Sequence, residues 1–430
     1  MSERVLRVGM LGCGTVGAAV VRLLESHRDD IEHRAGCRLE IRAVAVRDPG
    51  RVRDVPLPPA AFVDDPMGVV EDPDVDIVCE LIGGLEPAGS LVLAAFERGK
   101  PVVTANKELL ATRGRELFDA SDAKGVDLYF EAAVGGGIPL VRPLKESLTG
   151  ERLRRVMGIV NGTTNFILTR MTDEGRAFVE VLADAKRLGY AEADPSADVD
   201  GHDAAAKCAI LASIAFNARV VADDVFREGI AAVTTEDIEF ARRLGYVVKL
   251  LAIAEMGPDE RIAARVHPAM IPASHPLASV RDAYNAVFVE GPNVGELMFY
   301  GRGAGGEATA TAVVGDLVGV ARNLLAGARG VGCTCFHERT IRPMAEMTGQ
   351  YYILLRVQDR PGVLAEIASV LGRSEVSIKS VWQEGFGEDA QLVFITHRAR
   401  EGAFQEAVGA LRVLPAVAEV RSVLRVEAEE

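Results

Sequence analysis

The chain has 430 residues, 49% hydrophobic and 26% charged, with a formal net charge of −14 and a pI near 5.2. A length of this order implies roughly two to three domains with sizeable cores, and the acidic balance argues against a general nucleic-acid or anionic-membrane surface while leaving room for one basic cofactor pocket. No apolar run approaches the roughly 20 residues of a membrane span, MSERVLRVGML leads directly into a strand, and six Cys are too scattered for a disulfide framework, so a cytoplasmic protein is expected.

Residues 4–11 alternate and then turn apolar, LGCGTVG follows, and AAVVRLLESH keeps helical spacing, so the chain begins strand, turn, helix. LEIRAVAVRD predicts a second strand ending at Arg47 and Asp48, and VDIVCELIGG a third over 75–84. Residues 87–98 predict a helix, and KPVVTANKELL a fourth strand with Lys107 just beyond it. Repeated βα units with nearly continuous apolar strands predict a parallel sheet covered on both faces, a Rossmann-type α/β domain over 1–130. DLYFEAAV then opens onto Gly135, Gly136 and Gly137.

From about residue 152 the pattern changes. RRVMGIV, RIAARVH and NAVFVEG read as strands and 203–217 as a long Ala-rich helix, which predicts a second, mixed α+β domain over 131–304. Residues 301–327 predict a Gly loop entering a long helix that returns to the first domain within about 305–340. From YYILLRV onward the order βαββαβ predicts a separate ferredoxin-like unit over 350–430.

Gly12-Cys13-Gly14-Thr15-Val16-Gly17 is a GxGxxG between a strand and a helix, the context in which glycines let backbone approach a pyrophosphate at a helix N-terminus. A plain Gly-rich turn is the bland alternative. An NAD-preferring site would carry an acid at the end of the second strand, whereas this chain has Arg47, followed by Arg51 and Arg53. Arginine there suits a 2′-phosphate, which favours NADP over NAD, with a solvent-facing Arg47 as the plainer reading.

The segment GYAEADPSADVDGHDAAAK, 189–207, places Glu192, Asp194, Asp198, Asp200 and Asp203 before and at the start of an otherwise apolar helix. Asp203 and Lys207 are one helical turn apart and share a face. They read either as a buried structural ion pair or as acids for a substrate ammonium with a Lys that gives a proton to a carbonyl oxygen during hydride transfer. Lys107, at the carboxyl edge of the predicted sheet, sits where nucleotide folds hold ligands. His202 reads as a surface residue. Cys333, Cys335 and His337 offer three soft ligands without a second half, so a buried turn is the simpler reading there than a metal site.

VTANKELLA (103–111), EAAVGGGIPLV (131–141), GIVNGTTNFILTRM (158–171), YAEADPSADVDGHDAAAK (190–207) and FYGRGAGGEATATAVVGDL (299–317) together resemble homoserine dehydrogenases. The C-terminal unit resembles an ACT domain, with Asp359-Arg360-Pro361-Gly362-Val363-Leu364 in its first strand-to-helix turn. The resemblance implies NAD(P)H-dependent interconversion of L-aspartate 4-semialdehyde and L-homoserine on the route to threonine and methionine. It also makes the second domain the catalytic and dimerisation domain, and with no aspartate-kinase segment before these motifs the monofunctional form is expected.

By resemblance Lys207 is the proton donor, Lys107 lies beside the cofactor, and Glu192, Asp198 and Asp203 bind substrate. Gly189 and Gly303 lie against cofactor or substrate. Glu131, Val134, Gly136 and Ile138 contribute oxygens, as backbone carbonyls, to a monovalent cation, sodium. Asn161, Thr163, Thr164 and Asn165 form a wall of the substrate pocket while capping a helix. Asp359, Gly362, Val363 and Leu364 take an amino-acid effector, L-threonine, and a homodimer or homotetramer is implied. An aspartate-semialdehyde dehydrogenase would need a nucleophilic Cys beside a base, which no Cys here offers. A nucleotide sensor without turnover would leave the paired lysines and acids unexplained.

Overall fold

The computed structural model describes residues 4–385 and 390–428. The chain divides into two compact units, one of Met1–Val156, Ala206–Asp224 and Asn285–Arg339, the other of Met157–Ala205, Val225–Tyr284 and Thr340–Glu430. The limits 131–304 expected for a second domain therefore differ from the structural division. A chain that passes repeatedly between units leaves no composition shift at each crossing.

The first unit opens with β1 (Val5–Leu11), α1 (Thr15–Ser26), α2 (Arg28–Ala35), β2 (Arg38–Ala45), β3 (Phe62–Val63), α3 (Pro66–Glu71), β4 (Ile77–Glu80), α4 (Ala88–Glu97), β5 (Val102–Thr104), α5 (Lys107–Lys124) and β6 (Leu128–Tyr129). The strands pair in parallel in the order β3-β2-β1-β4-β5-β6. The order reverses between β1 and β4, so the crevice outside their carboxyl ends is the ligand position of this topology. Three predicted strands end early for local reasons. Beyond β2, Val46 N–H donates to Val63 O at 2.8 Å and Asp48 Oδ1 accepts from Gly50 N–H at 3.0 Å, an Asx turn. Gly83 and Gly84, with φ of +79° and +73°, follow β4. After β5, Asn106 Oδ1 accepts from Leu109 N–H at 3.1 Å and caps α5, so Lys107 begins a helix.

Along the chain follow β7 (Arg155–Ile159), α6 (Gly162–Glu174), α7 (Phe178–Arg187), α8 (Ser196–Val199), α9 (His202–Ala215), β8 (Phe226–Arg227), α10 (Thr235–Arg243), β9 (Tyr246–Met256), β10 (Ile262–Pro272), β11 (Tyr284–Gly291), β12 (Gly295–Arg302) and α11 (Gly306–Ala326). With 21 residues and a mean hydropathy of 1.2 over 18 of them, α11 is long and apolar enough to cross a membrane, contrary to the expectation that no run comes near. Its Val313, Leu317, Val320 and Ala321 instead lie in one core with Val8, Met10 and Val20 of the parallel sheet and α1. Glycine and alanine supply the length without the bulk of a lipid-facing helix.

The last elements are β13 (Thr348–Val357), α12 (Val363–Arg373), β14 (Ile378–Glu384), β15 (Ala390–Thr396), β16 (Ala399–Arg400), α13 (Glu401–Arg412) and β17 (Val417–Val426). The four long strands run antiparallel in the order β17-β13-β15-β14 and share a core with Ile367, Leu371, Phe404 and Leu411 of the two helices. This is the expected ferredoxin-like arrangement, but it is not separate. Strand β17 pairs in parallel with β10 at Ala269↔Arg425 and Met270↔Val426, so one sheet runs β9-β10-β17-β13-β15-β14 through the second unit. Periodicity reports which face of a strand is buried and is silent on what pairs with its edge.

Candidate functional site

In the first unit the three motif glycines have three different surroundings. A Cβ on Gly12, whose φ is +102°, would lie 2.7 Å from Leu81 O. A Cβ on Gly17 would lie 2.6 Å from Gly12 O, whereas Gly14 has no heavy atom within 4 Å of that position. Gly12 thus serves the turn, Gly17 the packing of α1, and Gly14 leaves its backbone open. Gly14 is also the N-cap of α1 and supplies no side chain to the first turn, so Thr15, Val16 and Gly17 can offer N–H groups and the positive helix end to an anion. These features fit a dinucleotide pyrophosphate. Two residues beyond β2, Arg47 is exposed. Arg53 lies over the Phe62 ring at 5.1 Å, and its charge, with that of Arg22, opposes the burial that raises the Cys13 thiol pKa. Of Arg47, Arg51 and Arg53 after β2, Arg53 is therefore the one whose field, with that of Arg22, acts on Cys13 of the glycine turn.

A buried polar network fixes the start of α5. Glu80, fully buried at the end of β4, accepts from Thr104 Oγ1 at 2.6 Å and from the N–H groups of Ile82 and Gly83 at 2.8 and 3.0 Å. Thr104 Oγ1 accepts from Asn106 N–H at 3.0 Å, and Asn106 Nδ2 donates to Gly84 O at 2.7 Å. Lys107 follows, half-buried, at the carboxyl edge of the sheet. Glu80 was missed in the sequence; its only signal was an acid closing an otherwise apolar strand.

In the loop after β6, the Glu131 carboxylate accepts from the N–H groups of Leu140, Val141 and Arg142 at 2.5, 2.8 and 2.9 Å. Its own N–H donates to Asp316 Oδ2 at 2.8 Å, and Arg142 Nη2 donates to Asp316 Oδ1 at 2.8 Å. Burial pushes the Asp316 pKa up to about 7 against the pull of Arg142. With the Glu131 carboxylate engaged in this way, a cation at Glu131, Val134, Gly136 and Ile138 would have to meet backbone carbonyls. Among the described residues no group of three or more His, Cys, Asp or Glu could hold a metal ion, the Cys333 to His337 stretch included. Gly136 adopts φ +57° with its virtual Cβ 2.5 Å from Gly303 O, and a Cβ on Gly303 would strike Asn285 Nδ2 at 1.9 Å. Asn285 and Gly136 thus account for the glycine at 303, which was expected to lie against a ligand. Gly306, at the start of α11, is the residue that abuts Thr15 of the nucleotide turn, 2.9 Å from its Cγ2.

In the second unit the polar turn before α6 has a clear organisation. Asn161 is 5% exposed and is the N-cap of α6, accepting from Thr164 N–H at 2.9 Å. Its Nδ2 donates to Asp198 Oδ1 at 2.7 Å and to Asp203 Oδ2 at 2.9 Å. One amide therefore holds together two carboxylates from α8 and from the first turn of α9. Thr163 Oγ1 donates to Tyr190 O at 2.8 Å, and Phe166 stacks on Tyr190 at 4.6 Å, which ties α6 to the loop bearing Glu192. Glu192 is exposed, and Gly189, with φ +79°, faces open space. Asp194 caps Ser196 N–H at 3.1 Å, and hydrogen bonds from Ser196 lower its pKa.

Two members of the expected pocket wall turn inward instead. Thr164 and Asn165 are each 1% exposed. Thr164 Oγ1 donates to Asn161 O at 3.1 Å. Asn165 Nδ2 donates to Val280 O and Tyr284 O at 3.3 and 3.1 Å, and its Oδ1 accepts from Lys249 Nζ at 3.0 Å. Helix α9 spans the division between units and carries both Asp203 and Lys207, the latter 8% exposed, while His202 is exposed.

At the ACT turn, Asp359 Oδ1 accepts from Gln383 Nε2 at 3.2 Å, and Gly362, with φ +95°, is the N-cap of α12 without a side-chain cap. Val363 is 4% exposed and belongs to the core, so its side chain is not available to a ligand, whereas Leu364 is 42% exposed.

Family models match the chain in three places: the homoserine dehydrogenase NAD-binding domain over residues 12–131, homoserine dehydrogenase over 139–318, and the ACT domain over 351–416. A homoserine dehydrogenase of Corynebacterium glutamicum is 49% identical over 424 residues, 98% of this chain and 95% of that protein. The crystal structure of a homoserine dehydrogenase from Thiobacillus denitrificans matches with a TM-score of 0.93 at 42% identity, covering 99% of both chains. A hyperthermophilic archaeal homoserine dehydrogenase in complex with NADPH matches with a TM-score of 0.63 at 26% identity, covering 77% of this chain and 100% of that one. The glycine turn, the Lys-bearing helices and the clamped carboxylates thus lie in a chain that belongs to the homoserine dehydrogenase family and carries an ACT domain.

Proposed function

We propose that, in the NAD(P)-linked interconversion of L-aspartate 4-semialdehyde and L-homoserine, Lys207 gives the proton to the substrate oxygen while Asp198, Asp203 and Glu192 hold the substrate ammonium. The observation that carries this reading is the Asn161 amide bridging Asp198 and Asp203, with buried Lys207 one turn further along α9. Two carboxylates held by one donor stay close despite their mutual repulsion, and a cationic amine relieves that repulsion on binding. The nicotinamide nucleotide, when bound, supplies or accepts the hydride. Lys107 and the first-turn N–H groups of α1 hold the nucleotide's polar groups, and the Glu80–Thr104–Asn106 network keeps Lys107 in place.

NADP is the preferred nucleotide in this reading, with Arg53 and Arg47 meeting the 2′-phosphate; NAD remains a substrate. The NADPH bound to the archaeal relative is in keeping with it. Sodium is held by carbonyls at Glu131, Val134, Gly136 and Ile138. The ACT turn at Asp359, Gly362, Val363 and Leu364 takes L-threonine through backbone groups and the N-terminus of α12. The enzyme is a cytoplasmic homodimer or homotetramer. Its six free cysteines suit a reducing compartment, and edge strand β12, with Met298 and Tyr300 exposed, is a surface for self-association. The deciding experiment is the oxidation of NADPH and of NADH with aspartate 4-semialdehyde: faster turnover with NADPH supports the assignment, and equal kcat/KM for both removes the arginine reading.

A further inference from the structure

Arg425, on β17, is 8% exposed and divides its guanidinium between two carboxylates. Nε and Nη2 donate to Glu401 Oε2 and Oε1 at 3.0 and 2.7 Å, and Nη1 and Nη2 donate to Glu228 Oε2 and Oε1 at 2.6 and 3.2 Å. Glu401 opens α13 of the ACT fold and is 4% exposed. Glu228 lies outside that fold, directly after β8, and the Phe226 ring lies 5.1 Å from the Arg425 guanidinium. The planar fork meets both partners in two-bond pairs, a geometry that transmits displacement because neither carboxylate can rotate and keep both bonds.

Glu228 is in turn fixed against the substrate acids. Its N–H donates to Val266 O at 2.8 Å, and Ile230 N–H donates to Val199 O at 2.9 Å. Between them Gly229 lies so close to α8 that a Cβ would fall 2.3 Å from Val199 O and 2.7 Å from Asp200 Cα. Val199 follows Asp198, which Asn161 holds at 2.7 Å together with Asp203. Three short contacts therefore run from α13 and β17 to the two clamped carboxylates, all within the second unit. The Glu228 side chain is 44% exposed and can turn to water, while the Glu401 and Arg425 side chains, at 5% and 9%, stay paired in the interior.

We infer that Arg425 is a positioning residue that couples the ACT fold to the substrate site, setting the placement of Asp198 and Asp203 through Glu228 and the Gly229–Val199 contact. The regulatory half of this inference rests on the reading of the ACT turn as an amino-acid site: an effector that moves α13 against β17 changes the hold on Glu228 and so the affinity for substrate. The positional half holds with no effector present.

The test uses the full chain with Glu228→Gln, which keeps shape and removes charge, and Arg425→Lys, which keeps charge and removes the fork. Glu228→Gln should raise KM for homoserine roughly three- to tenfold with kcat within about twofold, the scale of a coupling residue remote from the ligand. Amide hydrogen exchange should quicken at 199–205 and at Ile230, and Arg425→Lys should fall between wild type and Glu228→Gln. Unchanged KM and unchanged exchange at 199–205 in Glu228→Gln overturn the inference. In parallel, L-threonine binding by calorimetry and inhibition of turnover are measured on wild type and Glu228→Gln. Binding retained with inhibition weakened supports the coupling, and inhibition as complete as in wild type overturns its regulatory half. Absence of threonine binding to wild type refutes the effector reading alone, because KM and exchange still decide the positional half.

Discussion

Replacing Asn161 separates a helix cap from a substrate clamp. In Asn161→Ala the α6 N-terminus loses the acceptor for Thr164 N–H, and Asp198 and Asp203 lose their common donor at 2.7 and 2.9 Å. Loss of a cap costs about 1 kcal/mol of stability. A hydrogen bond to a charged group contributes about 1.5–3 kcal/mol, so if one carboxylate leaves its position, kcat/KM should fall roughly ten- to hundredfold. Asn161→Ser keeps an N-cap acceptor but is too short to bridge two carboxylates, so it should retain stability within about 0.5 kcal/mol and still lose kcat/KM to nearly the same extent. The assay is homoserine oxidation followed by reduced-nucleotide absorbance, beside urea denaturation of each variant. Wild-type KM in Asn161→Ser, with the cap intact, would refute the clamp and leave the polar turn as helix capping alone.

Lys207→Met should lower kcat by about 10²-fold or more with a smaller change in KM, since a proton donor acts mainly in the transition state; an unchanged kcat would make Lys207 structural. Arg53→Ala should weaken NADPH about tenfold or more with little effect on NADH, and by more than Arg47→Ala, as expected for a charge-assisted contact; equal losses for the two nucleotides would contradict it. Exchange of sodium for choline should reduce activity or thermal stability, and restoration by sodium in a titration would locate the effect in ion binding. Lys249 provides a pH test. Burial, with a smaller push from Arg281, lowers its pKa to about 8, below an unfolded value of about 10.4. Protonation therefore favours the unfolded chain, so stability should be lowest below about pH 8 and rise by about 3 kcal/mol towards pH 10 from this group alone. In urea denaturation across that range, Lys249→Met should flatten the rise, and an identical pH profile would show that Lys249 stays charged in the fold.

The nucleotide turn was legible because its information is local: Gly12, Gly14 and Gly17 follow an apolar strand within a few residues, and Gly12 and Gly17 answer constraints of backbone geometry while Gly14 leaves the turn open. Asp203 and Lys207 stood out as candidates for the opposite reason, since charge on an otherwise apolar helix violates the pattern around it. Resemblance of five motifs supplied the family and the chemistry, which periodicity does not carry. Tertiary structure alone decided which polar groups are shared. Asn165 faces Lys249, 84 residues away, rather than a pocket, and Arg425 meets Glu228 across 197 residues. It also decided that the ACT sheet continues into β10. Pairings of this kind depend on where distant backbone is brought, and each partner alone looks like any other polar residue near a strand or helix end. Local chain stiffness and side-chain alternation determine the elements; burial and the satisfaction of long-range polar groups, which only the assembled fold creates, determine the site.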